Sequence, residues 1–232
     1  MSTIQENIQN IKANIAKITA SAHREQNSVT LLAVSKTKPI SDILSAYAEG
    51  QRLFGESYAQ EACDKIEQIN KLGIKDIEWH FIGPIQSNKT KIIAEHFDFV
   101  QSIDRIKIAQ RLNDQRPINK PPLQILIQIN ISNEPQKSGI TYEKLPELIS
   151  AINSFKNLEL RGFMGIAENT NDNTKISTEF ARLNNLFLEL HKKNKSINIL
   201  SLGMTSDMNE AIINGSTMVR IGTAIFRARQ YY

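Results

Sequence analysis

A (β/α)8 barrel of the TIM type, carrying an extra helix at its N-terminus, is the fold that the sequence predicts. Three observations carry the prediction. Short apolar runs alternate with one-sided helical patterns along the whole chain of 232 residues. The runs number eight, which favours closure into a barrel over an open, doubly wound sheet. No composition break or Ser/Gly-rich linker interrupts the alternation, so residues 1–232 are expected to form one domain.

The elements follow in order. Isoleucines at positions 4, 8, 11, 15 and 18 share one helical face, and Thr3 and Glu6 are spaced as a capping box. This is the extra helix. Strands are expected near 30–35, 52–55, 77–82, 97–101, 123–130, 158–164, 198–202 and 217–221. Between them, helices are expected near 40–49, 57–71, 87–95, 104–115, 141–154, 174–193 and 207–214. The clearest is the sixth, with Ile176, Phe180, Leu183, Phe187 and Leu190 on one side. The polar run Asn169 to Thr174 lies between a strand and its helix and reads as a βα loop. Pro117 to Pro122 reads as a turn entering the fifth strand.

Composition narrows the function classes. The chain is 41% hydrophobic and 22% charged, enough to build a large core. Its net charge of +4 is modest and dispersed, so nucleic acid is not an expected partner. The densest basic cluster, His191-Lys192-Lys193-Asn194-Lys195, ends a helix, where cations complement the dipole and face water. Cys63 is the single cysteine, which rules out an internal disulfide and fits a reducing compartment. It falls on the stripe Ala59, Ala62, Ile66, Ile69, where a small buried residue is expected. The N-terminus lacks a signal-type apolar core, and no stretch approaches a membrane span. A soluble, cytoplasmic, monomeric protein is expected. The four histidines are scattered without a His-x-x-x-His pair, so no metal site is expected. His80 reads as a satisfied core imidazole and His96 as an ordinary helix-end residue.

In such barrels reactive groups come from the C-terminal ends of the strands and the loops beyond them. Lys36 closes the run Val29 to Ser35, and Pro39 marks the start of the next helix. A primary amine at that mouth, partly desolvated, is a nucleophile toward aldehydes. An anion site is expected from Gly203-Met204-Thr205-Ser206-Asp207 after the seventh strand and Gly222-Thr223 after the eighth, where backbone amides and two threonine hydroxyls point outward. Ser206 and Asp207 also suit an N-cap, a role that coexists with anion binding. Arg220 lies within the run Met218-Val219-Arg220-Ile221; the sequence leaves open whether it faces the barrel interior or water.

Taken in order, Leu32-Ala33-Val34-Ser35-Lys36-Thr37-Lys38-Pro39, Phe54-Gly55-Glu56, the stretch Trp79 to Lys89, Lys137-Ser138-Gly139, Arg161-Gly162-Phe163-Met164, Leu202-Gly203-Met204-Thr205 and Val219 to Phe226 resemble the pyridoxal 5′-phosphate homeostasis family. That family is related to the barrel domain of alanine racemase, and the resemblance covers nearly the whole chain. It implies that pyridoxal phosphate is bound, that Lys36 holds it as a Schiff base, that the loops at Met204-Thr205 and Gly222-Thr223 hold its phosphate, and that Arg220 faces the pyridine nitrogen. PLP-dependent apo-enzymes are candidate recipients, which the sequence itself does not identify. Three positions depart from the family pattern. Ser57 replaces an asparagine near the cofactor ring, Thr205 replaces a serine and keeps the hydroxyl, and Arg227 stands where a glycine is expected.

Two functions use this cofactor. A carrier only holds and exchanges it, whereas a racemase needs an acid/base group on each face of the substrate and a ring that acts as an electron sink. An arginine opposite the pyridine nitrogen weakens that sink. In racemases the second base comes from an additional β-domain of the partner chain, and this sequence ends at Tyr232, just after the eighth strand. A binding protein without catalytic turnover is therefore expected, with an amino-acid racemase as the alternative. A cofactor-free isomerase would need a carboxylate and histidine pair that is not identified. Lys38, Lys89 and Lys137 are candidates for a secondary site near the mouth.

Overall fold

The computed structural model describes residues 3–132, 134 and 136–227. Its eight strands are β1 (Thr30–Val34), β2 (Leu53–Glu56), β3 (Glu78–Phe81), β4 (Phe99–Ile103), β5 (Leu123–Ile129), β6 (Leu158–Gly165), β7 (Ile199–Ser201) and β8 (Met218–Ile221). All neighbours pair in parallel, and β8 returns to β1 to close the barrel in sequence order. The closing seam sets Leu32 beside Arg220 and Ala33 beside Ile221. Parallel strands covered by helices are buried on both faces, which is why they read as continuous apolar runs.

The helices are α1 (Ile4–Ser21), α2 (Ile40–Ala48), α3 (Ala59–Lys71), α4 (Thr90–His96), α5 (Ile106–Gln115), α6 (Leu145–Asn153), α7 (Asn173–Lys193), α8 (Met208–Ile213) and α9 (Thr223–Phe226). Short 3-10 turns at Ser87–Lys89 and Tyr142–Lys144 lead into α4 and α6. The eight expected strands and seven expected helices are present, with ends displaced by a few residues. The fourth strand starts at Phe99, two residues later than expected, because Phe97 is a fully buried residue at the end of α4. The four-residue α9 was not expected, being too short to show a helical period.

The capping box at the start of α1 forms as its spacing requires. Thr3 Oγ1 accepts the Glu6 N–H at 3.1 Å, and Glu6 Oε2 accepts the Thr3 N–H at 2.7 Å. Ile8, Ile15 and Ile18 are buried from this helix, which packs against α2, α8 and α9. Asn7 Nδ2 donates to the Ile225 carbonyl at 2.8 Å, tying α1 to the turn after β8. The extra helix thus braces the closing seam.

Most of the apolar core lies between the strands and the surrounding helices. Inside the barrel the apolar plug is small, made of Phe99, Leu126 and Met164. The buried polar residues His80, Gln101, Ser201 and Arg220 are linked to one another by hydrogen bonds that join β3, β4, β7 and β8. Among the described residues no helix is long and apolar enough to cross a membrane.

Candidate functional site

The end of β1 is anchored from beneath. Ser35 is fully buried and its Oγ donates to Glu56 Oε1 at 2.7 Å. The Lys65 ammonium, on α3, donates to the Ser35 carbonyl at 2.9 Å and pairs with Glu56 at 2.8 Å and Glu61 at 2.6 Å. Glu61 Oε1 also accepts the Thr37 N–H at 2.6 Å. The residues on either side of Lys36 are therefore both fastened to one buried ion cluster. Burial pushes the Glu56 carboxyl up, and the Lys65 charge and hydrogen bond oppose that shift.

Lys36 itself is exposed, in contrast to the expected partial desolvation. The strand stops at Val34 and the chain turns, with Thr37 at φ +63°, so the lysine stands above the rim rather than inside it. It lines a cleft of about 150 Å³ together with Val34, Thr37, Lys38, Gly222, Thr223 and Arg227. Adjacent strands β1 and β8 bring these residues together. Lys38 Nζ donates to the Arg227 carbonyl at 2.9 Å across the cleft's edge. Arg227 adopts φ +65°, a left-handed conformation that favours glycine, the residue the resemblance leads one to expect at that position.

The loop after β7 is arranged differently from the expectation. Gly203 has φ +89°, and a Cβ there would lie 2.5 Å from the Ala211 Cβ, so the turn requires glycine. The Met204 N–H donates to Asp207 Oδ1 at 2.7 Å, which commits that amide internally. Asp207 occupies the N-cap position of α8 yet makes no side-chain bond to the helix. Met204, Thr205 and Ser206 are exposed, and Thr205 and Ser206 line a cleft against Ile18 and Ser21 of α1 and its C-cap Ala22. Thr205 therefore does not line the Lys36 cleft with Thr223. Ser57 is half-buried at the exit of β2, pressed against Gly83, where an added Cβ would meet the Ser57 carbonyl at 2.3 Å. It too lies outside the residues that line the Lys36 cleft.

Arg220, whose direction the sequence left open, is buried in the barrel, 5% exposed. Its Nη1 donates to the Ser201 carbonyl at 2.7 Å and Ser201 Oγ at 2.8 Å, and its Nη2 to the Gly165 carbonyl at 3.0 Å. Burial pushes the guanidinium down to about 10, which leaves it a cation at neutral pH.

The remaining expectations sort simply. His80 is a satisfied core imidazole, fully buried and stacked on Phe99 at 4.6 Å. His96 ends α4 with Nδ1 at 2.9 Å from the Ile92 carbonyl. Cys63 is buried. Lys137 pairs with Glu134 at 2.5 Å and donates to the Ala167 carbonyl at 3.1 Å, while Lys89 sits half-buried on its 3-10 turn. Among the described residues no cluster of three or more His, Cys, Asp or Glu is placed to hold a metal ion. Glu56 is named in the sequence only as part of the motif Phe54-Gly55-Glu56, and Glu61 and Lys65 are not singled out there. Their signal was present: Lys65 interrupts the buried face of α3 one turn after Glu61, a charge that needs a buried partner.

Residues 7–230 match the family model described as "Alanine racemase, N-terminal domain". A protein of Haemophilus influenzae named pyridoxal phosphate homeostasis protein is 53% identical over 230 residues, spanning 98% of this chain and 97% of the relative. The chain belongs to the pyridoxal phosphate homeostasis family. A solved structure similar to this member is PipY of Synechococcus elongatus with PLP bound, 32% identical with a TM-score of 0.78, covering 91% of this chain and 99% of PipY. Alanine racemase from Corynebacterium glutamicum shares the fold, at 15% identity and a TM-score of 0.69, with 94% of this chain but only 61% of the racemase covered.

The donor set in this member of the family suits the cofactor. One cleft offers a primary amine at Lys36 and, at the first turn of α9, a hydroxyl and amides that have no intrahelical acceptor. Below it, β8 carries a buried cation at Arg220.

Proposed function

We propose that this protein binds pyridoxal phosphate in the Lys36 cleft and holds it in an exchangeable form as part of cytoplasmic cofactor homeostasis, without catalytic turnover. The observation that carries this reading is the convergence of Lys36 with Gly222 and Thr223 on one cleft. When bound, the cofactor supplies an aldehyde carbon and an electron-withdrawing pyridine ring. Lys36 would hold that carbon through its amine, and the anchored Ser35 and Thr37 would keep the lysine in place. Gly222 and Thr223 donate to the phosphate from backbone amides and a hydroxyl. Met204 and Thr205, on the exposed loop after β7, are the further phosphate contacts that this reading includes. Ser57, at the exit of β2 and outside the cleft lining, would reach toward the ring with a hydroxyl shorter than the asparagine amide expected there. Arg220 would face the ring nitrogen, where a cation disfavours a proton and so weakens the sink that racemisation needs.

In this reading an incoming amine displaces Lys36, PLP-dependent apo-enzymes are the recipients, and the protein acts as a monomer. Incubation with L-alanine in deuterated water tests the reading. The cofactor should be bound at the outset and be displaced by the amine with no loss of optical activity. Racemisation in the enzyme range of about 1–1000 per second, abolished in Lys36→Ala, would establish the racemase instead.

A further inference from the structure

Five polar side chains run in single file through the barrel, from Arg220 at one end to Glu78 at the other. Arg220 Nη1 donates to Ser201 Oγ at 2.8 Å, and Ser201 Oγ lies 2.8 Å from Gln101 Oε1. Gln101 Nε2 lies 3.0 Å from His80 Nδ1 and 3.2 Å from Met218 Sδ, and His80 Nε2 lies 2.7 Å from Glu78 Oε1. Ser201, Gln101 and His80 are fully buried, and Glu78 opens onto the N-terminal mouth beside Phe99 and Met218. Among the described residues no carboxylate lies within ion-pair distance of Arg220.

The direction of every bond follows from the two ends. A carboxylate only accepts, so His80 carries its proton on Nε2 and presents Nδ1 as an acceptor. Gln101 must then turn its amide N–H toward His80 and its carbonyl toward Ser201. The serine proton goes to that carbonyl, which leaves its oxygen to accept from Arg220. The reverse arrangement fails at two points: the Ser201 proton would face only donors, and the Gln101 carbonyl would press on the Met218 sulfur. The chain is therefore polarised, with each donor aimed from the cation toward the carboxylate. The hydrogen bond from His80 also holds the Glu78 carboxyl below the usual carboxylate range, against the opposing effect of its burial.

We infer that Glu78, His80, Gln101 and Ser201 are positioning residues that fix the rotation of the Arg220 guanidinium, with Gln101 setting the sense of the whole chain. The inference rests on the reading above for its effect on the cofactor ring, and on the barrel interior alone for the chain itself. The fixed guanidinium presents one constant arrangement of charge to the ring nitrogen. Glu78, at the far mouth, thereby acts on the cofactor site.

Nitrogen-15 NMR of the histidine rings in cofactor-free protein tests the chain directly. His80 should be the neutral tautomer protonated at Nε2. In Gln101→Glu the new carboxylate accepts at both ends, so His80 should become protonated at Nδ1 as well. An Nδ1-only tautomer or an imidazolium in the unsubstituted protein, or an unchanged ring in Gln101→Glu, overturns the chain. The second readout is the visible absorption of bound pyridoxal phosphate in Ser201→Ala and Gln101→Met, with folding checked by circular dichroism. Both should shift the absorption maximum and loosen binding several-fold relative to the unsubstituted protein. A folded variant with an unshifted maximum contradicts the link to Arg220. Failure of the unsubstituted protein to bind the cofactor overturns the cofactor reading, and the ring signals, read without cofactor, tell that failure apart from failure of the chain.

Discussion

Lys36 and Thr223, close to opposite ends of the chain, line the same cleft because the strands that precede them are hydrogen-bonded neighbours where the barrel closes. A primary amine and the hydroxyl-bearing first turn of α9 are thus set side by side by topology alone. Thr223 is exposed and touches the fold lightly, so its hydroxyl can be removed without structural cost. Thr223→Ala should weaken cofactor binding by about one to two decades, since a hydrogen bond to a charged group contributes about 1.5–3 kcal/mol. Thr205→Ala should cost less, because Thr205 lines the cleft against α1. Fluorescence titration of both variants decides; loss in Thr205→Ala with none in Thr223→Ala moves the phosphate elsewhere.

Lys65 holds a fully buried Glu56, and removing it leaves that carboxylate without its cation. Lys65→Met should lower stability by about 3–5 kcal/mol in urea unfolding, and Glu56→Gln in the same chain should restore much of the loss. A pH dependence follows. Burial raises the folded Glu56 carboxyl above its unfolded value, so the folded state keeps the proton to higher pH and stability falls as pH rises through that interval. Without Lys65 the rise is larger, so Lys65→Met should lose more stability than the unsubstituted protein between mildly acidic and neutral pH. Equal pH slopes would show that the two charges do not interact.

Arg227 stands at φ +65° and lines the Lys36 cleft. Arg227→Gly should raise stability by about 1 kcal/mol by relieving the left-handed backbone. It should also weaken cofactor binding at low salt, because a cation leaves the rim of an anion site. Unfolding curves and salt-dependent binding check the two effects separately.

Burial pushes the Cys63 thiol up to about 12, so the thiolate is scarce at any working pH. A colorimetric thiol reagent at pH 8 should label the native protein only at the rate at which it unfolds. Rapid labelling without denaturant would mean that α3 opens far more readily than its packing implies.

The barrel was legible because its strands are buried on both faces and read as unbroken apolar runs between helical periods. The same double burial hid the direction of Arg220: all four residues of β8 are buried, so no in-and-out alternation marks which face it takes. Lys65 was missed because a charge on an apolar stripe announces a partner without naming it. The placement of Thr205 and the exposure of Lys36 depend on loop backbone, where a left-handed Thr37 and the Asp207 bond to Met204 decide the outcome and leave no periodic trace.

Whether Lys36 carries the cofactor is decided by borohydride reduction of the cofactor-loaded protein followed by peptide mapping. A single dominant pyridoxyl adduct is expected on the peptide containing Lys36, and it should disappear in Lys36→Ala. A dominant adduct on Lys38 or Lys137 in the unsubstituted protein would overturn the assignment.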